Sequence, residues 1–312
     1  MQLVSYRLHA GTDTRWCAGV EHAGLVVDVT PLWSENAHEA TTKHVLIAGP
    51  ATIQRVFNQA REVLAAGPEA SGIFEAASLE LGPPVPDPDK IICIGLNYAD
   101  HASEAGLAQT EVPLFFAKYR NSLTGPTSPI LLPRVSRQID YEGELAVIIG
   151  TRCKEVSEQE APGYVAGYTI MNDVSARDLQ MRTSQFIAGK TLDTFAPMGP
   201  GMVLASAIPD PQALLLTTRV NGQVVQQAST ATMIFSVARI ISFLSSLMTL
   251  EPGDIIATGT PSGVGFKRTP PLFLQDGDVV EVEIEGIGQL RNPVVGTQTE
   301  AERTGRSSTK KS

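Results

Sequence analysis

The sequence has few of the residues that build disulfide frameworks or zinc sites. Its 312 residues include three cysteines, Cys17, Cys93 and Cys153. Their number is odd and their spacing is not that of metal ligands, which argues against a disulfide-rich scaffold or a zinc site. We expect reduced thiols that pack as small hydrophobic side chains and have no functional role.

Long apolar runs and an excess of basic residues are also missing. Nowhere do about 18 apolar residues run together, as a membrane-spanning helix requires. The start, Met1–Arg7, has no long apolar core after a basic residue, so no signal peptide is predicted. The net charge of -9 argues against a nucleic-acid partner or an anionic membrane surface. We therefore expect a cytoplasmic protein with neither kind of partner.

Hydrophobic residues are abundant, at 43%, and a proline-rich segment divides the chain. Residues 1–80 contain short apolar runs typical of an antiparallel meander, followed by helical spacing from Pro50 to Gly67. Residues 81–89 include four prolines and cannot enter a central strand or a helix interior. We predict a small N-terminal domain over 1–80, a larger domain over 88–296 and a disordered tail over 297–312.

Three patterns in the larger domain predict local structure. Asn221-Gly222 between apolar runs indicates a hairpin with a type I′ turn. Residues 233–250 have the apolar spacing of a long helix. Residues 278–285 alternate, so Glu281, Glu283 and Glu285 should lie on the solvated face of a strand.

The main chemical signal is an acidic pair before an apolar run, in residues 140–150. Alternate side chains of a strand share a face, so Glu142 and Glu144 would point into the same space across Gly143. Two carboxylates in a poorly solvated site repel each other by several kcal/mol unless a cation lies between them. The alternative is an exposed edge strand, but residues 145–149 have the composition of a strand buried on both faces.

Asp173 follows the next apolar strand and offers a third carboxylate. Its alternative role is that of a turn or capping aspartate. Together with Glu142 and Glu144 it provides hard oxygen ligands, which suit Mg²⁺ or Mn²⁺. The lack of cysteine or histidine near these carboxylates argues against zinc or copper.

Two further positions suggest reaction chemistry. His101 and Glu104 are three residues apart on a predicted short helix, where the carboxylate would raise the basicity of the imidazole. This pair is a candidate general base, and its alternative is an ordinary surface pair. The other four histidines precede the predicted domain boundary. Lys190 lies in a loop interrupted by glycine and proline and could pair with an anionic substrate. The alternative interpretation is an ordinary surface lysine.

Five segments between residues 88 and 296 together resemble the fumarylacetoacetate hydrolase family. They are, in chain order, IGLNYADHASEAG, DYEGELAVIIG, GYTIMNDVSARDLQ, QFIAGKTLDTFAPMGP and LEPGDIIATGTPSGVGF. The resemblance implies an α+β fold, a mixed β-sandwich roll, and a homodimer. It also implies one divalent metal on Glu142, Glu144 and Asp173, a His101–Glu104 dyad, Lys190 near the reacting carbonyl, and Arg177, Gln180 and Thr260 around the substrate.

The resemblance also implies a reaction of a 2-oxo acid through a metal-stabilised enolate. Our first expectation is a hydrolase that cleaves a carbon–carbon bond in a 2,4-dioxo acid such as an acylpyruvate or fumarylpyruvate. The alternative is a keto–enol isomerase or a decarboxylase of oxaloacetate or a 2-hydroxymuconate-like diacid, as in aromatic catabolism. A non-enzymatic binding protein with the same fold would be favoured only if the metal ligands or the base were missing.

Overall fold

The computed structural model describes residues 1–8, 15–33, 41–67, 70–100 and 110–296. The fold is of the α+β class, as predicted, with mixed β-sheets and few helices. The predicted tail, 297–312, lies outside the described residues. His101, Glu104 and most of their predicted helix lie outside them as well, so their roles stay predictions. Within the described ranges, no helix has the length and apolar character needed to cross a membrane.

The N-terminal part contains the predicted meander. Its strands and helices are β1 (Gln2–Leu8), β2 (Cys17–His22), β3 (Leu25–Asp28), α1 (Thr30–Trp33), α2 (Thr42–Ile47), α3 (Pro50–Ala65), β4 (Ile73–Glu75) and β5 (Leu79–Leu81). Strands β1, β2 and β3 pair antiparallel in succession. The helix predicted from Pro50 is α3, and it buries Ile53, Val56, Phe57 and Ala60 at helical spacing.

The rest of the chain supplies most of the strands. They are β6 (Ile91–Gly95), β7 (Leu114–Lys118), β8 (Leu123–Thr124), β9 (Ile130–Leu132), β10 (Ile139–Asp140), β11 (Gly143–Ile149), β12 (Val165–Asn172), β13 (Ser175–Ala176), β14 (Ala196–Leu204), β15 (Leu215–Val220), β16 (Gln223–Ser229), β17 (Ile255–Ala257), β18 (Val279–Ile284) and β19 (Gly288–Gly296). The helices are α4 (Arg177–Gln180), α5 (Ile187–Lys190) and α6 (Val237–Leu247).

One large sheet joins the two parts of the chain. Its strands lie in the order β4-β3-β2-β1-β14-β12-β11-β17-β6-β7, with β5 beside β1 and β8 beside β14. Strand β1 pairs antiparallel with β14, where Leu3 lies opposite Met202. Side chains of both parts also share one hydrophobic cluster, which contains Leu3 and Val20 together with Ala146. The division at residues 81–88 stays a prediction, since this sheet is continuous across it.

A second sheet has the order β16-β15-β18-β19-β9. The hairpin β15–β16 turns at Asn221 and Gly222, whose φ angles of 52° and 78° confirm the type I′ prediction. Helix α6 is shorter than predicted. The Ser236 side chain accepts a hydrogen bond from Arg239 N and caps the helix there, so residues 233–235 are not part of it, and the helix ends at Leu247.

Candidate metal centre and substrate pocket

The acidic triad lies at one end of the buried strand β11. Glu142 immediately precedes this strand, and Asp173 immediately follows its antiparallel partner β12. Because Gly143 lies opposite Asn172, the two segments meet in register, and Asp173 N donates to Glu142 O at 2.8 Å. One carboxylate oxygen from each of Glu142, Glu144 and Asp173 lies within 4.8 Å of the other two. The structure thus brings together the three residues that the sequence predicts as metal ligands.

The backbone around Glu142 and Glu144 is held by buried polar side chains. Glu142 N donates to Asn172 Oδ1 at 2.9 Å, and Gly143 N donates to Gln226 Oε1 at 3.1 Å. A side chain at Gly143 would collide with Thr218 Oγ1 from the second sheet. A glycine between the two glutamates therefore lets the second sheet approach closely.

Three buried cations surround the triad. Lys190 Nζ lies 2.6 Å from Glu142 Oε2 and 2.8 Å from Asp173 Oδ2. Lys118 Nζ lies 2.6 Å from Asp173 Oδ1, and Arg177 Nη1 lies 2.7 Å from Glu142 Oε1. Lys190 is therefore not the surface lysine of the alternative interpretation. The alternative role of Asp173, that of a turn or capping residue, also does not describe its carboxylate, which contacts two buried lysines.

Glu144 differs from its two partners. Its Oε2 accepts a hydrogen bond of 2.8 Å from Gly259 N. Burial raises the pKa of the Glu144 carboxyl well above its ordinary value, and the charges of Asp173 and Glu142 raise it further. Burial alone would lower the pKa of Lys190, but the carboxylates of Asp173 and Glu142 raise it above the usual lysine value. The lysine therefore carries its positive charge within this cluster.

The triad fits a divalent cation. Three buried carboxylates converge, all their donor atoms are hard oxygens, and repulsion between them contributes to the raised pKa of Glu144. A cation between them would remove that repulsion. The chemistry of the donor set is that preferred by Mg²⁺ and Mn²⁺.

A cavity of about 340 Å³ opens beside the triad. Glu142, Glu144, Arg177, Gln180, Lys190 and Thr260 all line it. A larger cavity of about 530 Å³ in the N-terminal part, beside Trp16 and Asp87, contains none of these residues. We place the candidate site in the smaller cavity because the described residues that were predicted to bind metal or substrate line it. The exception is Asp173, which pairs with the lining residue Lys190.

Arg177 is the best-oriented of the predicted substrate residues. Its Nε lies 2.8 Å from Asp140 Oδ2, and its Nη1 donates to Gln180 Oε1 at 3.0 Å. Its Nη2 is buried and finds no hydrogen-bond partner among the described residues. A buried donor without a partner costs roughly 1–3 kcal/mol, so an acceptor placed at Nη2 would remove that cost. Thr260 is less available, since its hydroxyl donates to Gly143 O at 3.0 Å.

Lys118 and Asp140 also contact the cluster, although no role is predicted for them from the sequence. Lys118 ends the apolar strand β7, and a lone lysine at the end of such a run is a usable signal. Asp140 accepts hydrogen bonds from Gly265 N and Phe266 N, at 2.7 and 3.0 Å, besides its contact with Arg177. It thereby joins the arginine to the loop after residue 264.

Comparison with known proteins agrees with this geometry. The model of a family described as fumarylacetoacetate (FAA) hydrolase C-terminal matches residues 90–295. The chain belongs to the fumarylacetoacetate hydrolase family. The predicted resemblance is thereby confirmed, and so is the fold class that it implied.

Relatives within the family carry out different reactions. A mitochondrial oxaloacetate tautomerase of Bos taurus is 42% identical over 280 residues, which cover 88% of this chain and 85% of that protein. The solved fumarylacetoacetate hydrolase of Exiguobacterium antarcticum is 39% identical, with a TM-score of 0.77 over 95% of this chain and 100% of that one. A maleylpyruvate hydrolase of Sphingobium sp. SYK-6, solved with manganese(II) and pyruvate, is 30% identical, with a TM-score of 0.75 over 96% and 100%.

Membership of the fumarylacetoacetate hydrolase family thus identifies a group of enzymes and leaves open which reaction this chain catalyses. The manganese in the maleylpyruvate hydrolase structure belongs to that protein. In this chain, the buried triad of Glu142, Glu144 and Asp173 could bind a metal.

Proposed function

We propose that this chain is a divalent-metal-dependent enzyme that interconverts the keto and enol forms of a 2-oxo acid of the oxaloacetate type. The observation that supports it is the unpartnered buried Nη2 of Arg177, a residue that lines the same cavity as Glu142 and Glu144. An acid with a carboxylate beside a carbonyl matches both features. The 42% identity to an oxaloacetate tautomerase favours tautomerisation over the hydrolysis that we expected first.

Glu142, Glu144 and Asp173 would hold one Mg²⁺ or Mn²⁺. When bound, the cation would polarise the 2-oxo carbonyl and stabilise the negative charge of the enolate. Arg177 Nη2 would donate to the substrate carboxylate, and Asp140 would keep the guanidinium in that orientation. Lys190, charged and buried, would stabilise the negative charge that develops on the carbonyl oxygen.

The proton must be moved by a base, and His101 assisted by Glu104 stays the candidate. Lys190 does not suit this role, because the carboxylates around it raise its pKa and keep it protonated. The Ala variant of His101 should lose tautomerase activity by about 10²- to 10⁴-fold, the usual cost of removing a general base, and should still bind Mn²⁺. Unchanged activity in His101→Ala would contradict the general-base role and favour the alternative, an ordinary surface pair of His101 and Glu104.

Hydrolysis of a 2,4-dioxo acid is the second candidate, supported by two observations. The cavity of about 340 Å³ lies in the range that binds ligands larger than a four-carbon acid. The relative solved with manganese and pyruvate is a maleylpyruvate hydrolase. In that reaction His101 and Glu104 would activate water for attack on the distal carbonyl.

A panel of 2-oxo acids distinguishes these reactions. Oxaloacetate, an acylpyruvate and a fumarylpyruvate are each incubated with the Mn²⁺-loaded protein and with the protein in excess EDTA. Proton NMR then shows keto–enol exchange without bond cleavage, decarboxylation to pyruvate, or cleavage into two acids. We expect metal-dependent keto–enol exchange of oxaloacetate. Metal-dependent cleavage of a dioxo acid without that exchange would favour the hydrolase, and metal-independent turnover would contradict both.

Two further expectations belong to this proposal. The resemblance implies a homodimer, which sedimentation of the purified chain would test. We also expect a cytoplasmic location, which differs from that of the mitochondrial relative. Fractionation of the source cells would test it.

A further inference from the structure

We propose that Asn97 is a positioning residue that joins two parts of the candidate site, the segment that leads to His101 and the loop that holds Glu144. This inference rests on the proposed function, since it takes the triad as the metal site and His101 as the base. Asn97 does not line the cavity, so it would act through the residues to which it is bonded. Its loss should therefore affect both metal binding and catalysis.

The side chain of Asn97 is fully buried, and both of its polar atoms are hydrogen-bonded. Its Nδ2 donates to Thr258 O at 2.8 Å and to Phe235 O at 3.0 Å. Its Oδ1 accepts from Phe235 N at 2.7 Å. These partners are 161 and 138 positions away in the sequence. A buried amide with all these bonds has one orientation, and so it fixes the relative positions of three backbone segments.

The bond to Thr258 leads to the acidic triad through the next residue. Gly259 N donates to Glu144 Oε2 at 2.8 Å. Gly259 has a φ angle of 100°, and a Cβ atom there would lie only 2.8 Å from Asn97 Cβ, so the two residues are closely packed. A change at Asn97 would therefore shift the amide that orients Glu144. Residues that orient a metal ligand in this way typically contribute about 10- to 100-fold to metal affinity.

The chain around Asn97 is held in an uncommon conformation. Leu96 lines the cavity and has a φ angle of 57°, in the left-handed region that a leucine adopts only when its surroundings hold it there. Ile234 N donates to Asn97 O at 2.7 Å, and Tyr98 is 1% exposed. These contacts fix the start of the segment that leads to His101, which follows Tyr98 by three positions and lies outside the described residues.

The competing interpretation is that Asn97 only stabilises the fold by holding Phe235. The chain offers a matched example of that role in Asn292, which is 1% exposed and does not line the cavity. Its Nδ2 donates to Gly125 O at 3.1 Å and to Ser128 O at 2.8 Å. If both asparagines were only structural, loss of either one would lower stability and would leave metal binding unchanged.

The test compares Asn97→Ala with Asn292→Ala. Urea unfolding measures the stability of each variant, calorimetry measures its Kd for Mn²⁺, and keto–enol exchange of oxaloacetate gives kcat at saturating Mn²⁺. Both variants should be less stable than the wild type. Asn97→Ala should bind Mn²⁺ about tenfold more weakly, and at saturating Mn²⁺ its kcat should stay lower by about tenfold or more because the base is misplaced. Asn292→Ala should keep the wild-type Kd and kcat.

A second variant, Asn97→Asp, keeps the shape of the side chain and serves if Asn97→Ala does not fold. It retains an acceptor for Phe235 N and loses the donor to Thr258 O. The negative charge that it adds would by itself strengthen the binding of a cation. We therefore expect weaker Mn²⁺ binding only if the lost donor matters, and stronger or unchanged binding at about pH 8, where the carboxyl is ionised, would contradict the inference.

The outcomes separate this inference from the proposed function. If Asn97→Ala loses only stability, as Asn292→Ala should, the inference is wrong while the metal site stands. Full recovery of kcat at saturating Mn²⁺ would also contradict it, because the segment that leads to His101 would then not depend on Asn97. If the wild type neither binds Mn²⁺ nor exchanges the keto and enol forms of oxaloacetate, the proposed function itself fails.

Discussion

Two strands of this protein carry glutamates two residues apart, and the pairs have opposite environments. Glu142 and Glu144, beside and within β11, are 5% and 1% exposed. On β18, Glu281 is partly exposed and Glu283 is exposed. Glu283 pairs with Arg219 at 2.8 Å across the surface of the second sheet, with half of its side chain exposed. The same spacing therefore gives a buried acidic cluster in one strand and a solvated face in the other.

The difference comes from what covers each face. Strand β18 packs one face on the core through Val280, Val282 and Ile284, and its other face meets solvent. Strand β11 lies between β12 and β17, and all its residues are buried. Three residues from other segments, Lys190, Arg177 and Gly259, then contact its carboxylates. Alternation predicts that two side chains share a face, but the neighbouring segments decide whether that face is buried.

The largest effect should follow removal of one charge from the buried pair. Glu144→Gln keeps the side-chain shape and an acceptor for Gly259 N but removes the charge of a proposed metal ligand. We expect Mn²⁺ affinity to fall by about 100-fold or more and activity to be lost. Calorimetry and an activity assay measure both effects.

Removal of the metal ion from the wild type by a chelator should also abolish activity. Excess EDTA should abolish activity and, if Mn²⁺ was present at about 100 times its Kd, lower the free energy of unfolding by about 3 kcal/mol. Full activity in excess EDTA would contradict the metal site.

Lys190→Met should have the next largest effect. We expect kcat to fall by about 10²- to 10³-fold, because the ammonium is needed where negative charge develops in the transition state. The Kd for Mn²⁺ should change much less, since Glu142, Glu144 and Asp173 all remain. A parallel loss of metal and activity would mean that Lys190 supports the ligands and not the reaction.

Lys118→Met tests a residue that is buried in the cluster but does not line the cavity. Its Nζ lies 2.6 Å from Asp173 Oδ1 and donates to Val174 O at 3.1 Å. Breaking a buried ion pair should lower the free energy of unfolding by about 3 kcal/mol, and Mn²⁺ affinity should fall by about tenfold because Asp173 loses a positioning contact. Urea unfolding and calorimetry check these values, with Lys154→Met as the exposed control. An unchanged stability would show that Lys190 alone compensates Asp173.

The smallest effect is expected on the solvated strand. Glu283→Gln removes the surface pair with Arg219 and should change the free energy of unfolding by less than about 1 kcal/mol, with no effect on Mn²⁺ binding. Urea unfolding at low and high salt measures it. A loss comparable to that of Lys118→Met would mean that the two acidic strands are not as different as their exposure indicates.

Features that depend on residues close together in the sequence were predicted well. The Asn221-Gly222 turn needs two positive φ angles, which these residues adopt easily, and α3 follows from apolar spacing after Pro50. The triad was also found, because its members lie at the ends of two apolar strands that are adjacent in the chain and pair as neighbours in the sheet.

Features that depend on distant segments were not predicted. Lys118, at the end of β7, bonds to Asp173 after β12, although three strands lie between β7 and β12 in the sheet order. The role of Asp140 requires contacts with residues 265 and 266, which are more than a hundred positions away. Helix α6 was predicted too long because apolar spacing does not show that Ser236 turns its side chain to the backbone.

The pairing of β1 with β14 has a consequence for shortened forms of the chain. Strand β14 lies directly beside β12, which ends at the acidic triad. A fragment that began after the proline-rich segment would lack β1 and would expose the side of β14 that β1 covers. Unpaired amide and carbonyl groups along a newly exposed edge invite pairing with other copies, and thus aggregation. We therefore expect the N-terminal residues to protect this sheet from self-association, independently of any part in the chemistry.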